Sequence, residues 1–566
     1  VKNKQTTIGI FGAFLLLVAI GCSTTKNTEE KQAAIDPTLE QKLEKITPHV
    51  QAVFANSTKT DTIPMQMDGT LLETSALVHQ FYANRDYKPI WSNGDSTIDH
   101  ADSLISIFSN AMDYGLHPSF YNAGLIQQFS DSALVVEDTA VKNELIAKTD
   151  VLITNAYFLM ATHLRYGILN QQTLAYEWKK DSLKEYLPSY LDEAIKREES
   201  KSYLLDMQPK HSMYSELQGA LVNYLDEFEL TTDTFDVPHF RKDSLKCYKK
   251  VKEVLLAQNY LDSASAQNDS LFIESIKRFQ LQHGLDDDAV VGRYSAYAMQ
   301  TSHMRRFAQA AINLERWKWK AQRESKHIYV NIPAYKLRMI DSSVVADTFR
   351  VVVGTQWTKT PEFQSKLTYL TVFPFWHVPN SISTTEILTA VKKDSSYLRK
   401  RGYQVFDRER NAVDMKSVNW NNVSSSNFPY RIRQNSGWYN SLGLVTFMFP
   451  NKYEVFIHDT NAKSFFNSDV RSYSHGCVRL QDPFRLANYI VTQDENIHTP
   501  DSIQSYVQRR AQRNITLNTP IQVYIDYITT EGDADGKIYF YTDIYKKDIS
   551  LRNAFLATWE PKKEAI

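Results

Sequence analysis

The chain has 566 residues, 43% of them hydrophobic and 12% aromatic, with 23% charged and a formal net charge of −1. That length exceeds what one hydrophobic core supports, so roughly three or four domains are expected. The balanced charge excludes a global field that would draw the chain to nucleic acid, and the composition is that of a folded protein.

At the start, Lys2 and Lys4 precede an uncharged, mostly apolar run from Ile8 to Ile20, followed by Gly21 and Cys22. The run is too short to span a bilayer comfortably but suits the apolar region of a signal peptide, so residues 1–21 are read as an export signal. AIGC resembles the lipobox of bacterial lipoproteins, with Ala19 where Leu is usual; the resemblance implies acylation of Cys22 and a membrane anchor. An ordinary signal peptide with a chance cysteine is the alternative. Residues 22–68 are polar and short of aromatics, a tether with one short helix around PTLEQKLEKI.

From 69 to 240 the apolar residues recur at i, i+3 and i+4, as in LISIFSNAMDYGL and VLITNAYFLMATHLRYGIL, and predict a helical domain. A second, smaller helical unit covers 241–305, where Cys247 falls on an apolar helical face as a packed residue. From 310 to 530 the pattern turns to strands, with HIYVNIPAYKLRMI, TFRVVVG, EVFIHD and IQVYIDYI. That pattern lapses over 384–437, a charged and polar stretch longer than a hairpin needs, which reads as an insertion. Residues 531–566 hold a last hairpin and tail; Asp533 and Asp535 there lack the downstream glutamate of a calcium loop and are read as a turn.

The chemistry concentrates in SHGCVRL, residues 474–480. A thiol is mostly protonated at neutral pH, and to attack a carbonyl it needs an imidazole within reach to take its proton. His458, at the end of the predicted strand KYEVFIHD, is the candidate base for Cys477. Gly476 lets the backbone approach closely, so the Gly476 and Cys477 N–H groups are candidate oxyanion donors. Arg479, two residues on, would share a strand face with Cys477 and supply positive charge or grip a substrate carboxylate. A zinc site from His458, His475 and Cys477 has the right ligand types but no accompanying ligands at metal spacing, so no metal or other cofactor is expected.

His458 followed by fifteen residues and then Ser474-His475-Gly476-Cys477 resembles the signature of the L,D-transpeptidases, cysteine enzymes that cross-link bacterial peptidoglycan. VVVGTQWTKTPEF, TVFPFWHVPNSI, RQNSGWYNSLGLVTFMFPNKYEVFIHDT and INLERWKW are similar to blocks of that catalytic domain in its large multidomain subgroup. FYANRDYKPIW and AMDYGLHPSFY resemble the subgroup's helical scaffold, and SIKRFQLQHGLDDDAVVGRYS its small three-helix peptidoglycan-binding module. The chain departs from the pattern at Arg479, where smaller members have asparagine, at Asn435-Ser436-Gly437, where Pro-Gly is frequent, and at Asp288-Ala289, where the module usually has Asp-Gly.

The resemblance implies a multidomain α+β protein: helical scaffold, three-helix module, and a β-rich, β-sandwich-like catalytic domain with an inserted cap over the donor site. It implies that Cys477 attacks the third-residue carbonyl of a tetrapeptide stem, releasing D-alanine and forming a thioester, with His458 shuttling the proton. An amine of a neighbouring stem then gives a 3→3 cross-link. His475 and Ser474 are assigned to shaping the site, and Trp376 and Trp438 to flanking the donor cleft. The expected partners are peptidoglycan stems and glycan and, through Cys22, a membrane. The expected protein is a monomer on the periplasmic side of the envelope, held at the outer membrane. Two other readings stand beside this one. The same acyl-enzyme could serve water, as an L,D-carboxypeptidase, or a protein lysine, attaching protein to the wall. In the other, a non-catalytic lipoprotein tethers membrane to wall through its helical module.

Overall fold

A computed structural model describes residues 37–55, 65–169, 183–238, 240–241, 244–495 and 497–559. The expected signal peptide, Cys22, and much of the expected tether lie outside the described residues. The architecture is mixed α+β, helical toward the N-terminus and built on a large sheet toward the C-terminus.

The first core forms around the Thr139–Tyr166 helix, which is capped by Asp138 through its carboxylate and the Ala140 and Val141 N–H groups. From Ile146 to Leu164 this helix is buried almost all round, so it is the hub of a bundle rather than a surface helix. FYANRDYKPIW wraps one buried carboxylate of the hub: Asp150 accepts from Ile90 N, from Trp91 N at 2.7 Å and from the Tyr82 hydroxyl. The Pro37–Ala55 helix packs into the same core through Ile46, Val50 and Phe54. Residues 37–55 are therefore scaffold rather than tether. With apolar anchors only every fourth residue in a polar sequence, the helix reads as solvated until a partner surface is present.

A second core joins pieces remote in sequence. The helices Ser244–Ala257, Asp269–Gln282 and Arg293–Met299 make up the predicted second unit. They share one cluster with the Ser212–Glu227 helix, the His303–Lys318 helix and the chain after Ile528. A boundary at 240/241 thus cuts through a continuous core; helices of 14, 14 and 7 residues present too little surface to close one alone. The His303–Lys318 helix, which carries most of INLERWKW, is buried even at Arg306, Glu315, Arg316 and Lys318. Glu315 binds Lys318 at 2.7 Å and accepts from Ile168 N at 2.8 Å, and Arg316 pairs with Asp548 at 2.7 Å. The Glu315–Lys318 pair lies within the helix, whereas the Ile168 and Asp548 contacts join it to other segments, so the charges are satisfied where burial would otherwise cost several kcal/mol, on the order of the penalty for an unpaired ion.

In chain order the strands are β1 (Met65–Met67), β2 (Thr70–Leu72), β3 (His327–Asn331), β4 (Lys336–Asp341), β5 (Val344–Gly354), β6 (Phe363–Val372), β7 (Trp376–His377), β8 (Tyr403–Phe406), β9 (Ala412–Val413), β10 (Arg431–Gln434), β11 (Val445–Met448), β12 (Ile457–His458), β13 (Ser472–Ser474), β14 (Val478–Leu480), β15 (Arg513–Asp526), β16 (Thr530–Gly532) and β17 (Ile538–Phe540). The large sheet runs β13-β5-β14-β12-β11-β6-β15-β3-β4. It closes on itself because β5 pairs with β4 along residues 344–350 and with β14 at Val351 and Val352. Closure leaves few free edges and encloses a core of Val, Ile, Leu and Phe.

The insertion has its own four-stranded sheet, β7-β10-β8-β9, and its own core, including Leu388, Leu398, Val405, Trp420 and Ile432. It begins at Trp376 rather than Thr384, since β7 pairs with β10 through Gln434 opposite Trp376. After the β16–β17 hairpin the chain forms a helix, Asp548–Ala557, where the sequence suggests only a tail.

Candidate active site

β12 and β14 are adjacent and parallel, with Ile457 opposite Val478 and His458 opposite Arg479. The pairing sets His458 diagonal to Cys477 on one face of the sheet, while Cys477 Sγ itself lies 3.9 Å from the Glu454 main-chain oxygen. The eighteen residues between the two are thus spanned by one strand pair, and both line a cavity of about 630 Å³.

His458 is 5% exposed and its Nδ1 meets the main-chain oxygen of Asp459. A carbonyl only accepts, so Nδ1 carries the hydrogen and Nε2 is left as a bare lone pair. The Asp459 carboxylate holds this geometry by accepting from Leu444 N at 2.8 Å, Thr460 N at 2.7 Å and Lys463 Nζ at 2.5 Å. Burial, reinforced by the Arg479 charge and opposed by the Asp459 carbonyl, pushes His458 down to about 3. Burial pushes the Cys477 thiol up to about 11, against the pull of the Phe456 N–H and Arg479. At neutral pH the site therefore holds a thiol beside a neutral imidazole, not a standing thiolate–imidazolium pair.

The turn before the nucleophile is tied internally. Ser474 Oγ donates to Cys477 O at 2.5 Å and accepts from Gly476 N at 3.1 Å. This corrects one expectation: the Gly476 N–H is spent on Ser474 and is not free to meet an oxyanion. Gly476 instead contributes shape, at φ +117°, a conformation that costs other residues one to three kcal/mol, roughly.

The remaining predicted residues divide. His475 reaches the cap, where Nε2 pairs with Glu386 on the same cavity wall. Arg479 lines the cavity half-buried, its guanidinium 5.7 Å from the Phe465 ring and its Nε without a hydrogen-bond partner among the described residues. Trp376 lines the cavity from the root of the cap. Trp438 is 75% exposed and lies on a neighbouring cavity of about 1010 Å³, whose wall also includes Asp459 and Arg485. The sequence reading misses Glu386, Arg401 and Tyr403 on the cap, and Glu454 and Phe456 before the base. Asp459 carried a signal, being the neighbour of His458 in KYEVFIHD; the cap residues sit in a polar stretch with no periodic mark.

Comparison with known proteins converges on this part of the chain. Residues 76–221 match the family model of the scaffold domain, and residues 325–521 match that of the L,D-transpeptidase catalytic domain. Over 240 residues, 42% of this chain, the sequence is 31% identical to a Haemophilus influenzae protein named "Putative L,D-transpeptidase"; the match spans about half of that relative, 48% of its length. Among solved structures, an L,D-transpeptidase from Mycobacterium smegmatis aligns over 36% of this chain and 58% of its own at 10% identity, with a TM-score of 0.15, too low to bear on the fold. Cys477 and His458 both fall inside residues 325–521, and over those residues the chain carries an L,D-transpeptidase catalytic domain.

Proposed function

We propose that the protein is a cysteine-dependent acyltransferase that makes 3→3 cross-links between peptidoglycan stem peptides. The observation that carries this is the convergence of the Cys477 thiol and a neutral, correctly tautomeric His458 on one cavity. Cys477 Sγ attacks the third-residue carbonyl of a tetrapeptide stem while His458 Nε2 takes the thiol proton. The imidazolium returns that proton to the amine of the departing D-alanine, leaving a thioester. His458, neutral again, accepts a proton from the side-chain amine of a second stem as that amine attacks the thioester, and passes it to the departing sulfur, which restores the thiol and the neutral imidazole. The bond energy comes from the peptide already present. The cap covers the cavity and shields the thioester, favouring an amine over water.

An export signal in residues 1–21 and a lipid on Cys22 would place this chemistry on the periplasmic face of an outer membrane. The test is incubation of the purified chain with a disaccharide-tetrapeptide, followed by intact-mass and peptide mass spectrometry. The reading requires a covalent adduct on Cys477 that has lost one alanine, and a 3→3 dimer on release. Tripeptide alone would make it a carboxypeptidase, and no adduct would leave only a wall-binding role.

A further inference from the structure

The turn that carries Cys477 is held by Thr360, which is itself tied to Tyr545, outside the matched catalytic domain. Thr360, 1% exposed, donates its hydroxyl to Gly476 O at 2.8 Å and accepts from Gly354 N at 2.9 Å. Its own N–H donates at 3.1 Å to the hydroxyl of Tyr545, and that hydroxyl donates to Gly354 O at 2.7 Å. Tyr545 is 3% exposed and fixed in turn: its N–H donates to the Tyr527 hydroxyl at 2.8 Å, the two rings stack at 5.4 Å, and Tyr527 donates to Asp543. Beside this path, Thr358 Oγ1 donates to Ser474 O at 2.9 Å. The Gly476 carbonyl and the Cys477 N–H belong to one planar peptide unit, so the partner of the carbonyl sets the direction of both and the start of the Cys477 side chain.

We propose that Tyr545 is a positioning residue for the nucleophile, acting through Thr360 on the Gly476–Cys477 peptide, so that the segment beyond residue 521 is part of the catalytic unit. The fold supports a dedicated role. Tyr545 spans loop and turn with one hydroxyl, and its supports Asp543 and Tyr527 lead to the Asp548–Ala557 helix, whose Asp548 N–H donates to Asp543 at 2.9 Å. A catalytic thiol needs its attack line held to a fraction of an ångström, and a displacement of about 1 Å costs on the order of 100-fold in rate. This inference rests on the reading of Cys477 as nucleophile.

The experiment uses the full chain and two reagents. With the disaccharide-tetrapeptide, Tyr545→Phe is expected to lower the acylation rate constant at saturation by about 10- to 100-fold with the half-saturation concentration unchanged. Thr360→Val should do the same, Thr360→Ser should restore the native rate, and the Tyr545→Phe/Thr360→Val double variant should be no worse than the poorer single. With iodoacetamide the direction reverses: a loosened turn exposes the sulfur, its titration moves down toward the ordinary thiol range, and alkylation of Cys477 at pH about 8 rises. Cys247, buried in the second core, reports global loosening and should stay unlabelled in every variant. Native acylation and alkylation in Tyr545→Phe overturn the proposal, as does a loss accompanied by Cys247 labelling. If the wild-type chain takes no acyl group from the peptide, the functional reading fails, and the alkylation comparison still decides the role of Tyr545.

Discussion

His458 and Cys477 reach the cavity from paired strands of a closed sheet, whereas Glu386, Arg401 and Tyr403 reach it from a cap whose core is a separate cluster of nine buried side chains. On the strand side the geometry is set at the main chain: the β12–β14 register, the Asp459 carbonyl on Nδ1, and the Ser474 and Thr360 hydroxyls bonded to the Gly476 N–H and C=O. On the cap side the polar link to the nucleophile turn is a half-exposed pair, His475 with Glu386, of a kind worth about 0–1 kcal/mol. The proposed proton chemistry thus rests on a hydrogen-bonded strand pair, and the opposite wall of the cavity on a part with its own core. Variants on the two sides should fail in different ways.

The largest effect is expected on the strand side at the reacting atoms. Cys477→Ala removes the only proposed point of acylation, so no adduct should appear by mass spectrometry at any donor concentration. His458→Ala should retain the adduct but slow its formation by about 100- to 10,000-fold, the usual range for a lost general base. A cap residue with effects of that size would break the comparison.

Next comes the support of the base. Gly443 sits at φ +61°, and a side-chain Cβ there would lie 2.3 Å from the Asp459 carboxylate. Gly443→Ala must therefore move the carboxylate that anchors Leu444 and Thr460, and with it the Asp459 carbonyl that fixes the imidazole tautomer. Acylation should fall by about 100-fold at saturation, with a stability loss of about 1–3 kcal/mol in chemical unfolding. An unchanged rate would mean that the anchoring of Asp459 does not matter to His458.

On the cap side, Trp420 is 6% exposed within the small core, remote from the reacting atoms. Trp420→Ala should destabilise the cap by about 3–5 kcal/mol, the cost of emptying a large aromatic site. Its kinetic signature should be a rise in donor half-saturation of about tenfold, or roughly 1.4 kcal/mol, and a larger share of hydrolysed product. Alkylation of Cys477 by iodoacetamide should rise at most modestly. A collapse of the saturated acylation rate would show that the cap carries part of the chemistry.

How much of this was legible in the sequence follows the same division. His458 and Cys477 stood out as the proposed base and nucleophile because they are rare residue types in a short local pattern, and the β12–β14 pairing places both on one cavity. The role of Gly476 was misread because a glycine before a cysteine suggests free N–H groups, and only coordinates show that Ser474 has taken one. Tyr545 and Glu386 carried no signal: one lies 68 positions after the nucleophile, the other 91 before it, and nothing periodic marks either. The helices could be read from their spacing, but the second core could not, because its members at 212–227, 244–318 and beyond 528 meet only through tertiary contacts that no local pattern encodes.

The smallest effect expected is an absence of change, and it tests the strand side most finely. Below its folded value of about 3 the His458 imidazole is protonated and cannot accept the thiol proton; above it the base is ready. The thiol stays protonated until about 11, so the reactive state of the pair, thiol with neutral imidazole, persists between those limits. The rate of Cys477 acylation at low donor concentration reports the free enzyme and should be flat from about pH 5 to 8. The wall of the cavity that buries His458 is what removes the inflection near 6.5 expected of an ordinary histidine, so opening that wall should bring it back. Trp420→Ala, which loosens the cap, should leave the profile flat if the sheet alone buries the imidazole. An acid limb at pH 6 to 7 in that variant would show that the cap contributes to keeping His458 neutral, and the same limb in the wild type would mean that the resting site holds an ion pair after all.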